Sequence, residues 1–276
     1  MLTAVAFGLP AQARAQGNGR PKGARAATVS SMPSTVTATL PVSSYPQFGA
    51  WLDDASALPR GAGAVSLGAG YWRLGGMSQT NLPMLGGAIG VTDRLQMSAS
   101  VPFYRVAAPT WSARGIDDVY VSAKYSLLDP TLTVSEVGVA ISPVVEILSA
   151  DAGDGRVHFA LPVSVEVRRA PFRVYGSGGY FTRGAVFGGG ALEWTSASGV
   201  SVTGAIIQSY SMKPPTPPEA IEGSHGDVSV GLAAPMTHSI SAYGSIGRSL
   251  TSVASGGTSL AITGGVSFRF SGSSIP

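Results

Sequence analysis

Beyond Arg60 the chain alternates apolar with small or polar residues at a period of two, in one segment after another, with turn residues between them. A period of two is the signature of a β-strand whose two faces meet different surroundings. In 156–168, Val157, Phe159, Leu161, Val163, Val165 and Val167 fall on one face, and His158, Ser164, Glu166 and Arg168 on the other. The same split sets Leu95, Met97, Ala99, Val101 and Phe103 against Gln96, Ser98, Ser100 and Tyr104, and Val119, Val121, Ala123, Tyr125 and Leu127 against Asp118, Tyr120, Ser122, Lys124 and Ser126.

Twelve such segments are expected: 62–73, 82–91, 94–105, 116–128, 134–148, 156–168, 172–182, 185–195, 199–210, 226–235, 238–249 and 258–270. Their connections alternate between short turns, such as Thr92-Asp93 and Met236-Thr237, and longer stretches at 74–81, 106–115, 149–155, 211–225 and 250–257. Only the link near Arg183 departs from the rule. An even strand count with short turns on one rim is what an up-and-down barrel of the bacterial outer membrane requires.

A soluble sandwich or propeller would alternate too, but its polar face meets water and carries many Lys and Glu. Here charged residues are 12% of the chain, against about 25% in ordinary soluble domains. The polar faces are mostly Ser, Thr, Gly, Ala and Tyr, which suits a confined lumen. No run of about 18 apolar residues exists to form a membrane helix. The predicted fold class is therefore all-β: an antiparallel transmembrane barrel of about twelve strands, apolar side to lipid, with the lipid bilayer as its first partner.

Outside 61–270 the texture differs. Residues 1–16, "MLTAVAFGLPAQARAQ", read as a secretory signal with small-residue cleavage sites at Ala11-Gln-Ala13 or Ala13-Arg-Ala15, although no basic residue precedes the apolar stretch. Residues 17–60 are rich in Pro, Ser, Thr and Ala and read as an extended arm or linker, with Phe48 and Trp51 able to anchor its end. Residues 271–276 form a short tail. The net charge of +3 is traced to the first 25 residues, where Arg14, Arg20, Lys22 and Arg25 stand without an acid. A near-neutral body does not suit nucleic acid as a partner. With no cysteine, neither disulfides nor a thiolate metal site are available.

Inward charges are expected to pair across strands. Lys124 lies opposite Glu136, Glu166 faces Arg173, and Glu193 comes beside Arg173; with Arg168 and Arg269 these make a belt of alternating charge in the periplasmic half of the lumen. Such a belt ties strands together and fills a narrow lumen; alternatively it is a constriction selecting solutes. Tyr120, Tyr175 and Tyr243 point inward by parity, either filling the lumen or offering stacking surface to an aromatic solute. Other aromatics near strand ends, including Tyr71, Trp72, Phe181 and Trp194, are expected in the girdles at the membrane's edges. Glu146 and His158 pair across the outer loop near Ala152, but without a Gly-x-Ser-x-Gly sequence or a His-x-x-x-His spacing no catalytic residue or metal site is assigned. The acids of "DAGDG" (151–155) read as a plain turn, and "MKPPTPPEAIEGSHG" (212–226) as a stiff outer loop.

"LPMLGGAIGVTDRLQMSASVPFY" (82–104) and "GIDDVYVSAKYSLLDP" (115–130) together resemble a family of bacterial outer-membrane proteins named for the meta-pathway of phenol degradation. Gly90-Val91-Thr92-Asp93-Arg94 and Val101-Pro102-Phe103-Tyr104 match the first family pattern; Asp118, Lys124 and Tyr125 match the second. Ile116-Asp117 stands where the family usually has Leu/Ile-Gly, and no Tyr precedes Gly90. The resemblance implies a channel for apolar or aromatic compounds. The last strand, "TSLAITGGVSFRF", also resembles the signal ending in Phe that outer-membrane barrels present to their assembly machinery, with Phe268 and Phe270 in that role. The expectation is thus a non-enzymatic channel or uptake port for small, largely apolar solutes, with no cofactor. The contrasting one is a closed barrel that serves structure or surface interaction.

Overall fold

A computed structural model of the chain describes residues 52–271 apart from 75, 130–131, 133–135, 149–155, 183, 213–223 and 252–256. The leader, most of the arm, the "DAGDG" loop, nearly all of the proline-rich loop and the end of the tail lie outside the described residues.

Among the described residues fifteen strands make one sheet: β1 (Ala62–Leu74), β2 (Met77–Gly90), β3 (Leu95–Ala107), β4 (Ser112–Ile116), β5 (Val119–Leu128), β6 (Val137–Ile141), β7 (Val144–Ile147), β8 (Val157–Ala160), β9 (Val163–Arg169), β10 (Phe172–Phe181), β11 (Ala185–Thr195), β12 (Ser201–Ser211), β13 (Ser224–Pro235), β14 (Ile240–Ser249) and β15 (Leu260–Ser271). Every pairing is antiparallel, and β1 joins both β2 and β15, from Ala62↔Ser271 to Arg73↔Leu260, so the sheet closes on itself. Three traverses come in two pieces, β4 with β5, β6 with β7, and β8 with β9. Fifteen ladder segments therefore make the twelve crossings expected.

The breaks have local causes. Pro143 and Pro162 have no N–H to give to the ladder, yet their carbonyls stay in use: Ala123 N donates to Pro143 O at 3.0 Å and Ser142 N to Pro162 O at 2.9 Å. At Asp117-Asp118 the strand kinks while Asp117 N donates to Pro102 O at 2.8 Å. In β2 the register shifts between Asn81 and Met84, where the Leu82-Pro83 peptide is cis. This slip moves the inward positions from Gln79 and Asn81 to Met84 and Gly86, because one inserted residue exchanges the two faces of a strand.

Elsewhere the alternation runs as predicted. Val157, Phe159, Leu161, Val163, Val165 and Val167 are all exposed, while His158, Ala160, Ser164 and Glu166 between them are buried. A closed sheet satisfies its own backbone, and an exterior of Val, Leu, Ile and Phe needs hydrocarbon around it; the protein is a barrel of the bacterial outer membrane. The chain passes from the arm into β1 and ends β15 on one rim. The longest connections, 148–156, 212–223 and 250–259, join strand ends on the other. That places the start of β1 and the end of β15 on the periplasmic side. The first outer link is shorter than expected: β2 starts at Met77, with Leu74 paired to Met77, so residues 75–76 alone turn the chain.

Candidate functional site: the arm-filled lumen

The residues just before β1 run inside the barrel. Asp54, Ala55, Ser56, Ala57 and Leu58 are buried, although they belong to no strand. The chain leaves the lumen and turns into β1 at Gly61, whose φ of 75° lies in the left-handed region that favours glycine. Ala62 N closes this turn on Pro59 O at 3.0 Å, and Gly61 N donates to Gly90 O at 2.8 Å. Gly90 is required for the passage: a Cβ there would stand 2.1 Å from Pro59 O and 2.4 Å from Leu58 O. Asp93 Oδ1 then accepts from Arg60 N at 3.1 Å. Thr92 Oγ1 accepts from Leu95 N at 3.0 Å, shaping the turn that carries Asp93. The Gly-Val-Thr-Asp-Arg motif thus has a physical task, which is to seat the arm's last turn.

Deeper in, the barrel wall grips the arm by charge. Lys124 Nζ lies 2.7 Å from Asp53 Oδ1, 3.0 Å from Asp54 Oδ1 and 3.3 Å from the Ser56 carbonyl. Arg173 pairs through Nη2 with Asp54 Oδ2, and through Nε with Glu166 Oε1 at 2.6 Å. Arg168 pairs through Nε with the same Glu166 oxygen and donates from Nη2 to Ser56 Oγ at 2.6 Å. The other Glu166 oxygen accepts from Ala55 N at 3.2 Å and Ser56 Oγ at 3.0 Å. Neutral contacts complete the seat: Leu58 N to Gln96 Oε1 at 3.0 Å, Ser126 Oγ to Ala55 O at 3.0 Å, and Asp53 N to Ser177 Oγ at 3.1 Å. Asp54, Lys124, Glu166 and Arg173 are all buried. Charges this dry need partners of opposite sign within hydrogen-bond reach, and the arm supplies two of the carboxylates.

This rearranges the expected belt. Lys124, Glu166, Arg173 and Glu193 do line the periplasmic half of the lumen, and Glu193 is the register partner of Arg173. Glu136, however, is exposed on the rim. Tyr125 pairs with Ile141 and Ser126 with Ala140, so the turn after β5 is longer than expected and Lys124 is level with the residue after Ile141, far from Glu136. Its acidic partners come from the arm. Glu166 is opposite Tyr175, not Arg173, and reaches Arg173 along a diagonal. Arg269 stands on β15, half-buried, with Nη2 3.4 Å from Ser241 Oγ. Tyr175 is buried beneath Arg173, whose Cζ lies 4.8 Å from its ring centroid.

The outer half of the lumen holds an apolar cluster. Trp72, Met84, Tyr120, Val144, Ala160, Phe181, Phe187, Ile207 and Ala261 form one buried cluster, and Leu52 at the head of the arm packs against it. Phe181 and Phe187 rings meet at 5.5 Å. Trp72 and Phe181, expected in the exterior girdle, therefore point inward, whereas Tyr71, Trp194, Phe268 and Phe270 remain outside. Polar groups sit among these apolar ones. Tyr120 donates to Glu146 Oε1 at 2.8 Å, Glu146 is opposite His158, and Asp117 Oδ2 accepts from Gln79 Nε2 and Asn81 Nδ2, both at 3.0 Å. Tyr243 lies over glycine: a Cβ on Gly68 or Gly265 would meet its hydroxyl at 2.8 or 2.6 Å.

Asp53, Asp54 and Ser56 were not among the expected lumen residues, because the arm reads as linker. One signal marks them: Asp53 is the first acidic residue of the chain, and it arrives beside a second acid in front of a charge belt in which Lys124, Arg168, Arg173 and Arg269 meet Glu166 and Glu193 from the wall.

No family model and no curated protein matches the sequence. Among solved structures, the chain is similar to an outer-membrane channel from Pseudomonas putida F1, with TM-score 0.60 at 13% identity over 79% of this chain and 98% of that one. It is also similar to the NanC porin, with TM-score 0.55 at 12% identity over 75% and 100% of the chains. The KdgM porin solved with disordered oligogalacturonate gives TM-score 0.52 at 11% identity over 74% and 99%. At these identities the likeness is one of fold.

Proposed function

We propose that this barrel is a passive channel or uptake port for small, largely apolar or aromatic solutes, with residues 52–60 as a plug whose seating sets whether it conducts. The observation that carries the reading is the division of the lumen. An outer half lined by Trp72, Met84, Phe181, Phe187 and Ile207 offers apolar surface to a solute arriving from outside. The inner half is closed by an arm held through Lys124 and Arg173, not by strands of the wall. A strand cannot leave a closed sheet without breaking its ladder on both sides, whereas an arm held by side chains can leave intact strands behind. The motif residues Gly90, Asp93 and Lys124, which carry the resemblance to the phenol meta-pathway family, are those that hold the arm; this supports placing the chain with that family of channels.

The same clamp also favours a second reading, a permanently closed barrel that serves structure or surface interaction. Planar-bilayer recordings and liposome uptake of an aromatic hydrocarbon separate the two, using the wild-type chain and Asp53→Asn/Asp54→Asn. Transport predicts uptake by the wild-type protein and larger, longer openings in the variant. Absence of conductance and uptake from both would rule out the channel.

A further inference from the structure

The outward-facing charges differ between the two rims. At the periplasmic rim both signs occur, with Arg60, Arg94 and Arg169 near Asp93 and Glu136. At the outer ends of the strands the lipid-facing charges among the described residues are all arginine. Arg73 is the penultimate residue of β1, Arg105 lies two before the end of β3, Arg114 is third in β4, and Arg248 is penultimate in β14. All four are exposed, while their neighbours Trp72, Val106 and Ser249 are buried toward the lumen.

Register brings these arginines together. Arg105 and Arg114 are direct cross-strand partners, Arg105 is opposite Thr80, and Arg73 is opposite Ser78. On its other side Arg73 pairs with Leu260, next to Ala261, which pairs with the Gly247 preceding Arg248. Two like charges directly opposite destabilise a sheet. Three acids of this half are engaged elsewhere: Asp117 binds Gln79 and Asn81, Glu146 binds Tyr120, and Asp227 Oδ1 accepts from Ser249 Oγ at 2.6 Å. Among the described residues no acid pairs with any of the four arginines, and an anion from outside the chain would complement such a face. Directly toward the membrane centre the same face turns apolar, with Leu82 and Ile116 more than half exposed.

A cationic row at the interface over an apolar wall matches an amphiphile with a phosphorylated head and acyl tails. The outer leaflet of this membrane is built of a glycolipid with phosphates on its sugar headgroup. Guanidinium groups bind phosphate oxygens in pairs, as a fork. We propose that Arg73, Arg105 and Arg114, extended by Arg248, bind the phosphorylated sugar headgroup of that glycolipid, lipid A, whose acyl chains lie along Leu82 and Ile116. The surface acts as an outer-leaflet anchor, independent of what passes through the lumen.

The test is titration of delipidated, detergent-solubilised full-length protein with bisphosphorylated lipid A, read by native mass spectrometry. Parallel arms use the same lipid without its phosphates, phosphatidylglycerol, and inorganic phosphate. The expected result is a discrete lipid A complex that is weakened about ten-fold or more in Arg105→Gln/Arg114→Gln, and unchanged in Arg60→Gln/Arg94→Gln on the other rim. Equal binding of the dephosphorylated lipid, or equal affinity of phosphatidylglycerol, would overturn the proposal. So would undiminished lipid A binding by the outer-rim variant, or inorganic phosphate displacing the lipid at equal concentration. Heat-modified gel mobility verifies that each variant is folded, and Arg73→Gln gives the same reading should the double variant fail to assemble.

Discussion

Lys124 Nζ lies 2.7 Å from Oδ1 of Asp53, a residue 71 positions earlier in the chain and outside every strand. This ion pair joins the wall of the barrel to the arm that fills it. Lys124 is almost wholly buried, its side chain 3% exposed. Breaking a buried pair by removing one partner costs about 3–5 kcal/mol, because the other charge is left dry and uncompensated. Here the arm has a cheaper response, which is to leave. Lys124→Met is therefore expected to release residues 52–60 without unfolding the barrel. Limited proteolysis should cut the arm faster, conductance should rise, and heat-modified mobility should stay as in the wild type. Because Asp53 loses its ion pair and Asp54 one of its two together with Lys124, adding Asp53→Asn/Asp54→Asn to Lys124→Met should have less effect than the sum of the separate changes.

Gly90→Ala tests the passage of the arm past β2. The added Cβ would collide with the carbonyl oxygens of Pro59 and Leu58 at 2.1 and 2.4 Å. Backbone atoms cannot yield as a flexible side chain would, so the arm's last turn must shift, at a cost of about 1–3 kcal/mol. Spin labels on the arm and on β5 should report a longer or broader distance in the variant. An unchanged distance would show that Gly90 is not needed for seating.

Trp72→Ala would open the apolar outer lumen. Removing a buried Trp costs about 3–5 kcal/mol in a core that relaxes only partly, and Trp72 belongs to the same apolar cluster as Phe181, Phe187 and Ile207. A lower unfolding temperature and faster liposome uptake of a small aromatic are both expected. A lowered temperature with unchanged uptake would assign Trp72 to packing alone.

Phe270 is half exposed to lipid, and its ring covers Gly63, where a Cβ would lie 2.2 Å from Cζ. Both Phe270→Ser and Gly63→Val are expected to impair closure of β15 on β1 and to lower the yield of assembled protein in outer-membrane fractions. Removing residues 272–276, which follow the last paired residue Ser271, should leave the yield unchanged.

A period of two, sustained through Val157, Phe159, Leu161 and Val163 and their counterparts in every other segment, made the fold legible in the sequence. Alternation fixes which side chains share a face, and a small, polar second face where water would demand charge leaves lipid as the surroundings of the first. The number of crossings, the lipid-facing residues and the inward course of Lys124, Glu166, Arg173 and Glu193 all follow from parity. Parity is also where the local reading stops. It does not reveal that the slip at Leu82-Pro83 reassigns the inward face of β2, nor that Trp72 and Phe181, on the lumen side, pack together as a dry interior. Register error misplaced Glu136, because the length of the turn after β5 is set by where β6 pairs with β9 and not by the residues of the turn. Above all, nothing periodic marks residues 52–60. They take a defined path only because the closed barrel gathers Lys124, Arg168 and Arg173 from three separate strands into one dry space, where Asp53 and Asp54 are the nearest carboxylates free to enter. Strand and face are local properties of the chain; the partner of a buried charge is decided by what closure brings within reach of it.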